Sequence, residues 1–340
     1  MAISWRPFRP SDLRFESKAY PTCQRRTLRI SYRRLSEKPA PATSSAPVPE
    51  DPLADAPRSY GRAVSEFTPK PLIRPIGLPN APRAGENAGV DTRSWRQRRD
   101  DFVDHDKHLL RRKQLAQKIS TPYFRDWSNM RLHKGKSFLA PPRLFKAERA
   151  LYFPNIHGQT LTKDKKLRDT TPVFQDKVSI VSVFSSTWAE NQTATFVAKQ
   201  HNPEIHEVVA SSGGMAQMVQ INIEENALKA MLVKLFMPSL RKRVGAGNWG
   251  RYFLARKGLS GEIRDAIGLL NSKVGYTYLL DGECRIRWAG SGPCEGEEKD
   301  GLVKGAKRLV NELRANAARP APTQQPAETT KRVEIAAVAA

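Results

Sequence analysis

The run from Val178 to Gln192, VSIVSVFSSTWAENQ, limits the possible fold more than any other stretch of the chain. Val178, Ile180, Val181 and Val183 are β-branched and fall within six residues, the density of a strand covered on both faces. Ser185-Ser186-Thr187 breaks the run, and Trp188-Ala189-Glu190-Asn191-Gln192 reads as the first turns of a helix with an acid near its N-terminus. A short apolar strand that feeds straight into a helix opens a βαβ unit, which places the chain among the α/β folds.

The residues downstream complete that unit. Val219-Gln220-Ile221-Asn222-Ile223 reads as a second covered strand, followed by a helix over about 225–240. YTYLLD (276–281) and CRIRW (284–288) flank Asp281-Gly282, a strong hairpin signal. A last helix over about 299–314 sets Leu302, Val303, Ala306, Leu309, Val310 and Leu313 on one face. A βαβ unit, a hairpin and a covering helix resemble the thioredoxin arrangement, and FPNIHGQTL with TTPVFQDKVSIVSVF resembles a peroxiredoxin-like entry, where a short hairpin precedes the first central strand. Thioredoxin-like enzymes end that strand in Trp-Cys-x-x-Cys. Here the two cysteine positions are Ala189 and Gln192, neither able to form a thiolate, and alignment on YTYLLD puts Gly275 where such enzymes carry a cis-proline. The expected fold class is therefore α/β, a thioredoxin-like domain over 150–315 that lacks the redox cysteines.

Outside this domain the chain reads as an extended N-terminal segment containing a long helix, with disordered termini. Residues 1–35 hold eight arginines and Lys18 against Asp12 and Glu16, the signature of a mitochondrial transit peptide with a cleavage point near Arg33-Arg34-Leu35. Residues 36–92 read as a Pro/Ala/Gly-rich linker whose later part docks through Leu72, Ile73, Ile76 and Leu78. Residues 93–149 read as a basic helix over about 94–119, with Trp95, Phe102, Leu109, Leu110, Leu115 and Ile119 as a broken apolar stripe, followed by an aromatic docking segment. The tail, 316–340, reads as disordered.

The formal charge of +23 suits a nucleic acid, an anionic membrane surface or import into a mitochondrion, and does not choose among them. Cys23, Cys284 and Cys294 show neither metal nor C-x-x-C spacing, which argues against a disulfide scaffold and leaves Cys284 as a small buried apolar group. His105 and His108 have no third histidine at ligand spacing, and Ser211-Ser212-Gly213-Gly214 lacks the lysine of a phosphate loop. Glu190 and Asn191 fit a helix N-terminus better than an acid–base pair, and the neighbours Glu224 and Glu225 do not face each other on a helix. No catalytic, cofactor-binding or metal-binding residue is assigned.

The segment 226–241, NALKAMLVKLFMPSLR, carries more apolar surface than one sheet face can cover. Leu228, Met231, Leu232, Leu235, Phe236 and Leu240 form a broad face that runs into Arg241-Lys242-Arg243, with Pro238 expected to kink the helix. That combination suits a hydrophobic partner helix or the membrane interface.

Five segments are specific enough for a family resemblance: GKSFLAPPRLFKAERALYFPN (135–155), SVFSSTWAENQ (182–192), VQINIEENALKAMLVKLFMPSLR (219–241), GRYFLARKGLSGEIRDAIGLLNSKVGYTYLLDGECRIRWAGSG (250–292) and EEKDGLVKG (297–305). They resemble the mitochondrial ATP synthase assembly factor family, fungal type, that chaperones subunit a (subunit 6) of the membrane sector, over roughly 70–315. The resemblance implies an imported, non-enzymatic protein at the matrix side of the inner membrane. Such a protein binds newly made subunit a and promotes its assembly with the c-ring, without a cofactor and without a specific nucleic acid. The candidates for partner contact are Trp188, Glu190, Asn191, Leu228, Met231, Leu232, Leu235, Phe236, Arg241, Lys242 and Arg243. The alternatives are a peroxiredoxin-like or copper-chaperone-like redox protein, which would need a cysteine at 189–192, and a mitochondrial RNA-binding protein, which rests on charge and aromatic residues alone.

Overall fold

Every residue of Val178–Phe184 is buried, as its β-branched composition predicts, and the rest of the architecture is arranged around that strand. The computed structural model describes residues 52–60, 63–89, 93–120, 124–164, 166–224 and 227–318. In chain order the elements are α1 (Trp95–Val103), α2 (His105–Ser120), α3 (Arg125–Asn129), β1 (His157–Thr160), β2 (Leu167–Asp169), α4 (Thr171–Phe174), β3 (Val178–Phe184), α5 (Thr187–Val197), α6 (Pro203–Ser211), β4 (Ala216–Ile223), α7 (Ala227–Leu235), α8 (Met237–Val244), β5 (Tyr252–Ala255), α9 (Gly261–Ala266), β6 (Tyr276–Leu280), β7 (Ile286–Ser291) and α10 (Glu298–Ala318). The transit peptide expected over residues 1–35, the first part of the linker and residues 319–340 lie outside the described residues.

The sheet runs β2-β1-β5-β4-β3-β6-β7. β3 is parallel to β4, with Val178 opposite Ala216 and Phe184 opposite Asn222, and antiparallel to β6. β6 and β7 form the hairpin signalled by Asp281-Gly282, with an irregularity between Leu279 and Leu280. The central order β4-β3-β6-β7, with α5 and α6 in the crossover and α10 after the hairpin, is the thioredoxin-like arrangement. β5 was not legible in the sequence. It lies parallel to β4 and antiparallel to β1, and so welds the 157–169 hairpin to the central sheet.

Alternate residues of β3 serve two different layers, as strand geometry requires. Val178 and Ile180 face Phe196, Ile205, Val208, Leu302, Ala306, Leu309 and Val310, the apolar sides of α5, α6 and α10, together with Trp288 of β7. Val181 and Val183 face a layer that contains Leu53, Leu72, Ile76, Phe138, Phe153, Ile267 and Leu270. The described part of 36–92 thus contributes side chains to the core. Leu53, Ala56, Leu72 and Ile76 are core residues, because a sheet face with few helices over it must be covered by something else. Of the four docking residues named above, Leu72 and Ile76 are buried and Leu78 bridges Tyr152, whereas Ile73 is exposed. In the aromatic segment Phe138 and Phe153 are buried, and Phe124 and Trp127 are exposed.

Two helices depart from their expected lengths. The basic helix is broken at Asp104, whose backbone is extended and whose side chain caps α2 by accepting from the Asp106 and Lys107 N–H groups. The 226–241 helix ends at Leu235 and restarts at Met237, with Pro238 in the first turn of α8, where a missing N–H costs nothing. α10 continues to Ala318, so the first residues assigned to the tail are helical.

The largely irregular chain before β1, residues 52–89 and 130–156, forms a strap that is fixed to the sheet by one buried ion pair. Lys136 is fully enclosed, and its Nζ donates to Glu298 Oε2 (2.8 Å), Pro293 O (2.7 Å) and Ser291 O (3.1 Å). Glu298, in the first turn of α10, accepts in addition from Ala140 N at 2.7 Å and Glu295 N at 2.9 Å. All three ammonium donors and both carboxylate oxygens are therefore used, the condition under which burying a charge pair is tolerable. Lys136→Met strands the Glu298 carboxylate and is expected to lower unfolding free energy by about 3–5 kcal/mol in urea denaturation. The double variant Lys136→Met/Glu298→Gln should recover part of that loss.

Candidate functional site

The turn that holds cysteines in thioredoxin-like enzymes is here built from packing groups. Ser186 caps α5 by accepting from Ala189 N at 3.2 Å, which places Trp188 at the surface, half exposed, and Ala189 in the core. Glu190 pairs with Arg243 of α8 at 2.8 Å, and Asn191 is exposed. Gln192 is buried and acts as a bracket: its Nε2 donates to Lys134 O (2.9 Å) and its Oε1 accepts from Gly275 N (2.9 Å). Gly275 lies directly against α5, so close that a Cβ on it would sit 2.2 Å from Ala189 O. The two cysteine positions and the proline position have thus become one internally bonded joint between α5, β6 and the strap.

Neither described thiol replaces the missing pair. Cys284 sits in the β6–β7 turn, and burial first, then the carboxylates of Asp281, Asp176 and Glu283, push its thiol up to about 12. Burial first, then the Glu298 carboxylate, also push the Cys294 thiol up, outweighing the Lys136 ammonium and the Lys299 N–H in the first turn of α10, which favour the thiolate; its own backbone N–H donates to Thr195 Oγ1. Among the described residues no group of three or more His, Cys, Asp or Glu is placed to hold a metal ion.

The exposed apolar surface lies on α7. Val233, Met237, Leu240 and Val244 anchor α7 and α8 against Leu161, Phe184, Ala189, Tyr252, Leu254 and Trp249. On the opposite side Met231 is 70% exposed and Leu235 71%, with Leu232 and Phe236 more than half exposed. Successive residues advance about 100° around a helix, so Met231, Leu232 and Leu235 span roughly 100° of arc facing away from Val233, and Phe236 follows at the junction with α8. Leu228 belongs to α7, and its side chain lies outside the described residues.

The basic cluster at the end of this segment is less available than the sequence implied. Arg241 is taken up inside the protein: its Nε donates to Leu161 O (2.6 Å), an Nη to Thr162 O (3.1 Å), and its guanidinium lies 5.8 Å from the Trp249 ring, whose Nε1 donates back to Arg241 O. Arg243 is engaged by Glu190, which leaves Lys242 and Lys234 as exposed cations beside the apolar face. The sequence reading missed Arg241's role because its partners are backbone carbonyls of a loop about 80 residues upstream, which no local pattern announces.

A thioredoxin-like scaffold whose redox turn has been rebuilt as a structural joint defines the class. The chain belongs to the ATP10 family: the family model described as ATP10 protein matches residues 60–309. It is similar to the mitochondrial ATPase complex subunit ATP10 of Eremothecium gossypii, 30% identical over 254 residues that cover 74% of this chain and 90% of the relative. It is likewise 30% identical to the protein of that name from Saccharomyces cerevisiae over 255 residues, covering 72% and 88%. Among solved structures it is similar to a secreted thiol-disulfide isomerase from Corynebacterium glutamicum (TM-score 0.34, 13% identity, 49% of this chain and 90% of that one). A DsbF homologue from Corynebacterium diphtheriae gives a TM-score of 0.33 at 15% identity, covering 49% and 91%.

Two outcomes follow for this joint. Iodoacetamide at pH 8 should modify Cys284 more than about a hundredfold more slowly in the folded protein than after unfolding, since only the thiolate reacts. Gly275→Ala should force α5 away from β6 and lower the melting temperature by several degrees, on the order of 4 °C or more.

Proposed function

We propose that this chain is an assembly factor for the membrane sector of mitochondrial ATP synthase. In this reading it associates with newly made subunit a (subunit 6) at the matrix side of the inner membrane and promotes its joining to the c-ring, without catalysis. Family membership and the names of its relatives support the link to the mitochondrial ATPase complex. The Arg-rich residues 1–35 serve as the transit peptide, and no helix among the described residues is long and apolar enough to cross a membrane.

The observation that carries the reading is the α7 face. Met231, Leu232 and Leu235 of α7 and Phe236 at its junction with α8 are exposed, on a segment pinned from behind by Val233 and Met237. Fully burying such a side chain is worth about 1.5–3 kcal/mol, so even half-burial of four against a client helix amounts to several kcal/mol. A membrane subunit awaiting its partners offers apolar helices of this kind. Trp188, half exposed at the start of α5, and the exposed Lys234 and Lys242 belong to the same candidate surface, with Glu190, Asn191 and Arg243 at its margin.

The test is crosslinking in intact mitochondria after labelling of mitochondrial translation products. Met231→Ser/Leu235→Ser should cut the crosslink to subunit a by about tenfold or more while the melting temperature stays unchanged, because both side chains are already in water. A crosslink of undiminished yield would refute the surface, and a crosslink to other labelled products but not subunit a would refute the client. Purified protein should also show no thiol-disulfide or peroxide turnover; a turnover abolished by Cys284→Ser or Cys294→Ser would overturn the non-enzymatic reading.

A further inference from the structure

α1 and α2 are formed, capped helices with none of their own described side chains buried. Ser94 and Gln97 make a reciprocal capping box, Gln97 N donating to Ser94 Oγ at 3.3 Å and Ser94 N to Gln97 Oε1 at 2.9 Å. Yet no residue of α1 is buried, and Trp95 (75% exposed), Phe102 (70%) and Val103 (78%) stand in solvent. Leu109, Leu110 and Leu115 of α2 are about half exposed. Helices of this length are marginal in water unless an apolar face is covered, so their natural state includes a partner on that face.

The arrangement of charge identifies the partner. Trp95 and Phe102 are seven residues apart, which puts them within about 20° of each other around the helix. Arg98 and Arg99 flank them, one on each side, and Arg99 donates from Nε (3.4 Å) and an Nη (3.3 Å) to Oδ1 of Asp100, so one acid of α1 already holds a flanking arginine. Arg93 and, from α2, Arg111 join Trp95, Arg98, Arg99 and Phe102 around one open groove of ≈ 470 Å³. Arg93 also pairs with Asp101 at 2.6 Å, and Lys107 reaches the same carboxylate, so the acids of this pair are spent holding α1 to α2 from behind. Between Arg93 and Arg112 seven basic residues face four acidic ones.

Two aromatic rings bracketed by arginines, with aliphatic side chains alongside and basic residues outnumbering the acids that pair with some of them, match the boundary of a bilayer that carries anionic headgroups. The rings sit at headgroup depth, the arginines meet phosphodiesters, and Val103, Leu109 and Leu110 enter the acyl boundary. Single-stranded RNA would satisfy the arginines and rings and leave those aliphatic groups in water. We infer that α1 and α2 form a peripheral docking surface for anionic phospholipid, separate from the α7 face proposed for the protein client. This deepens the proposed location at the inner membrane and rests on that reading for its biological setting, though not for the lipid chemistry.

The test uses the chain from Glu50, the compact unit that carries every described element, so that the arginines of residues 1–35 do not contribute. It should float with phosphatidylcholine vesicles containing about one-fifth phosphatidylglycerol and not with phosphatidylcholine alone. Arg98→Glu/Arg99→Glu should lower the partition by about tenfold or more, and Asp100→Asn should raise it by about twofold or more, a gain that misfolding cannot produce. Met231→Ser/Leu235→Ser should leave it unchanged. Equal binding to neutral vesicles, or indifference to both the α1 double variant and Asp100→Asn, would overturn the proposal. So would a result in which the double variant loses poly(U) binding but keeps vesicle binding. Vesicle binding that survives while the subunit a crosslink fails would uphold this inference and refute the assembly reading.

Discussion

Lys136 and Glu298 form the joint on which the arrangement of layers depends. The thioredoxin-like core brings helices to one side of its sheet, and the other side is closed by chain from the N-terminal strap, which has little secondary structure to give it rigidity. A single ammonium group fixes that chain where it meets the end of β7 and the start of α10, and the same carboxylate captures the backbone of Ala140. Just past the lysine, Ser291 Oγ accepts from both Ser137 N and Phe138 N, so Phe138 enters the core in one register. A buried pair of this sort adds little net stability over an apolar substitute, but it penalises every alternative placement of the strap by leaving a charge without a partner.

The rebuilt turn has a similar logic. Where a dithiol would need an exposed, polar helix N-terminus, this chain has a capped N-terminus with Ala189 inward and Gln192 bonded to two other segments. The site therefore ties α5 to β6 and to the chain at Lys134. α7 is held on one side by Val233, Met237 and Leu240 and left open on the other, which gives a rigid presentation of apolar groups that a flexible tail could not provide.

How far the sequence reveals this varies with the range of the interactions. β3, the DG hairpin and α10 are visible because strand and helix periodicities and turn chemistry are local signals. β5 is not, since Tyr252–Ala255 is only four residues long and becomes a strand by pairing with β4 and β1. Residues 52–89 have the composition of a linker; Leu53, Leu72 and Ile76 are too sparse to advertise a core, and only the uncovered sheet face gives them a role. The apolar run of α7 was legible and its exposure is a matter of tertiary placement. Arg241 misled for the opposite reason: a basic triplet looks like surface charge until the carbonyls of Leu161 and Thr162 are seen to occupy one of its members.

The joint at Gln192 and Gly275 also bears on the history open to such a chain. Cysteine at position 192 would give up two hydrogen bonds, one to Lys134 and one to Gly275, before a second cysteine at 189 could supply any chemistry. Proline at 275 would remove the N–H that Gln192 holds and press a ring against the carbonyl of Ala189. Each single step toward a dithiol enzyme thus passes through a weaker protein with no compensating activity. A dithiol at this turn is disfavoured by the same contacts that join α5 to β6, a barrier made of one amide side chain and one absent methyl group.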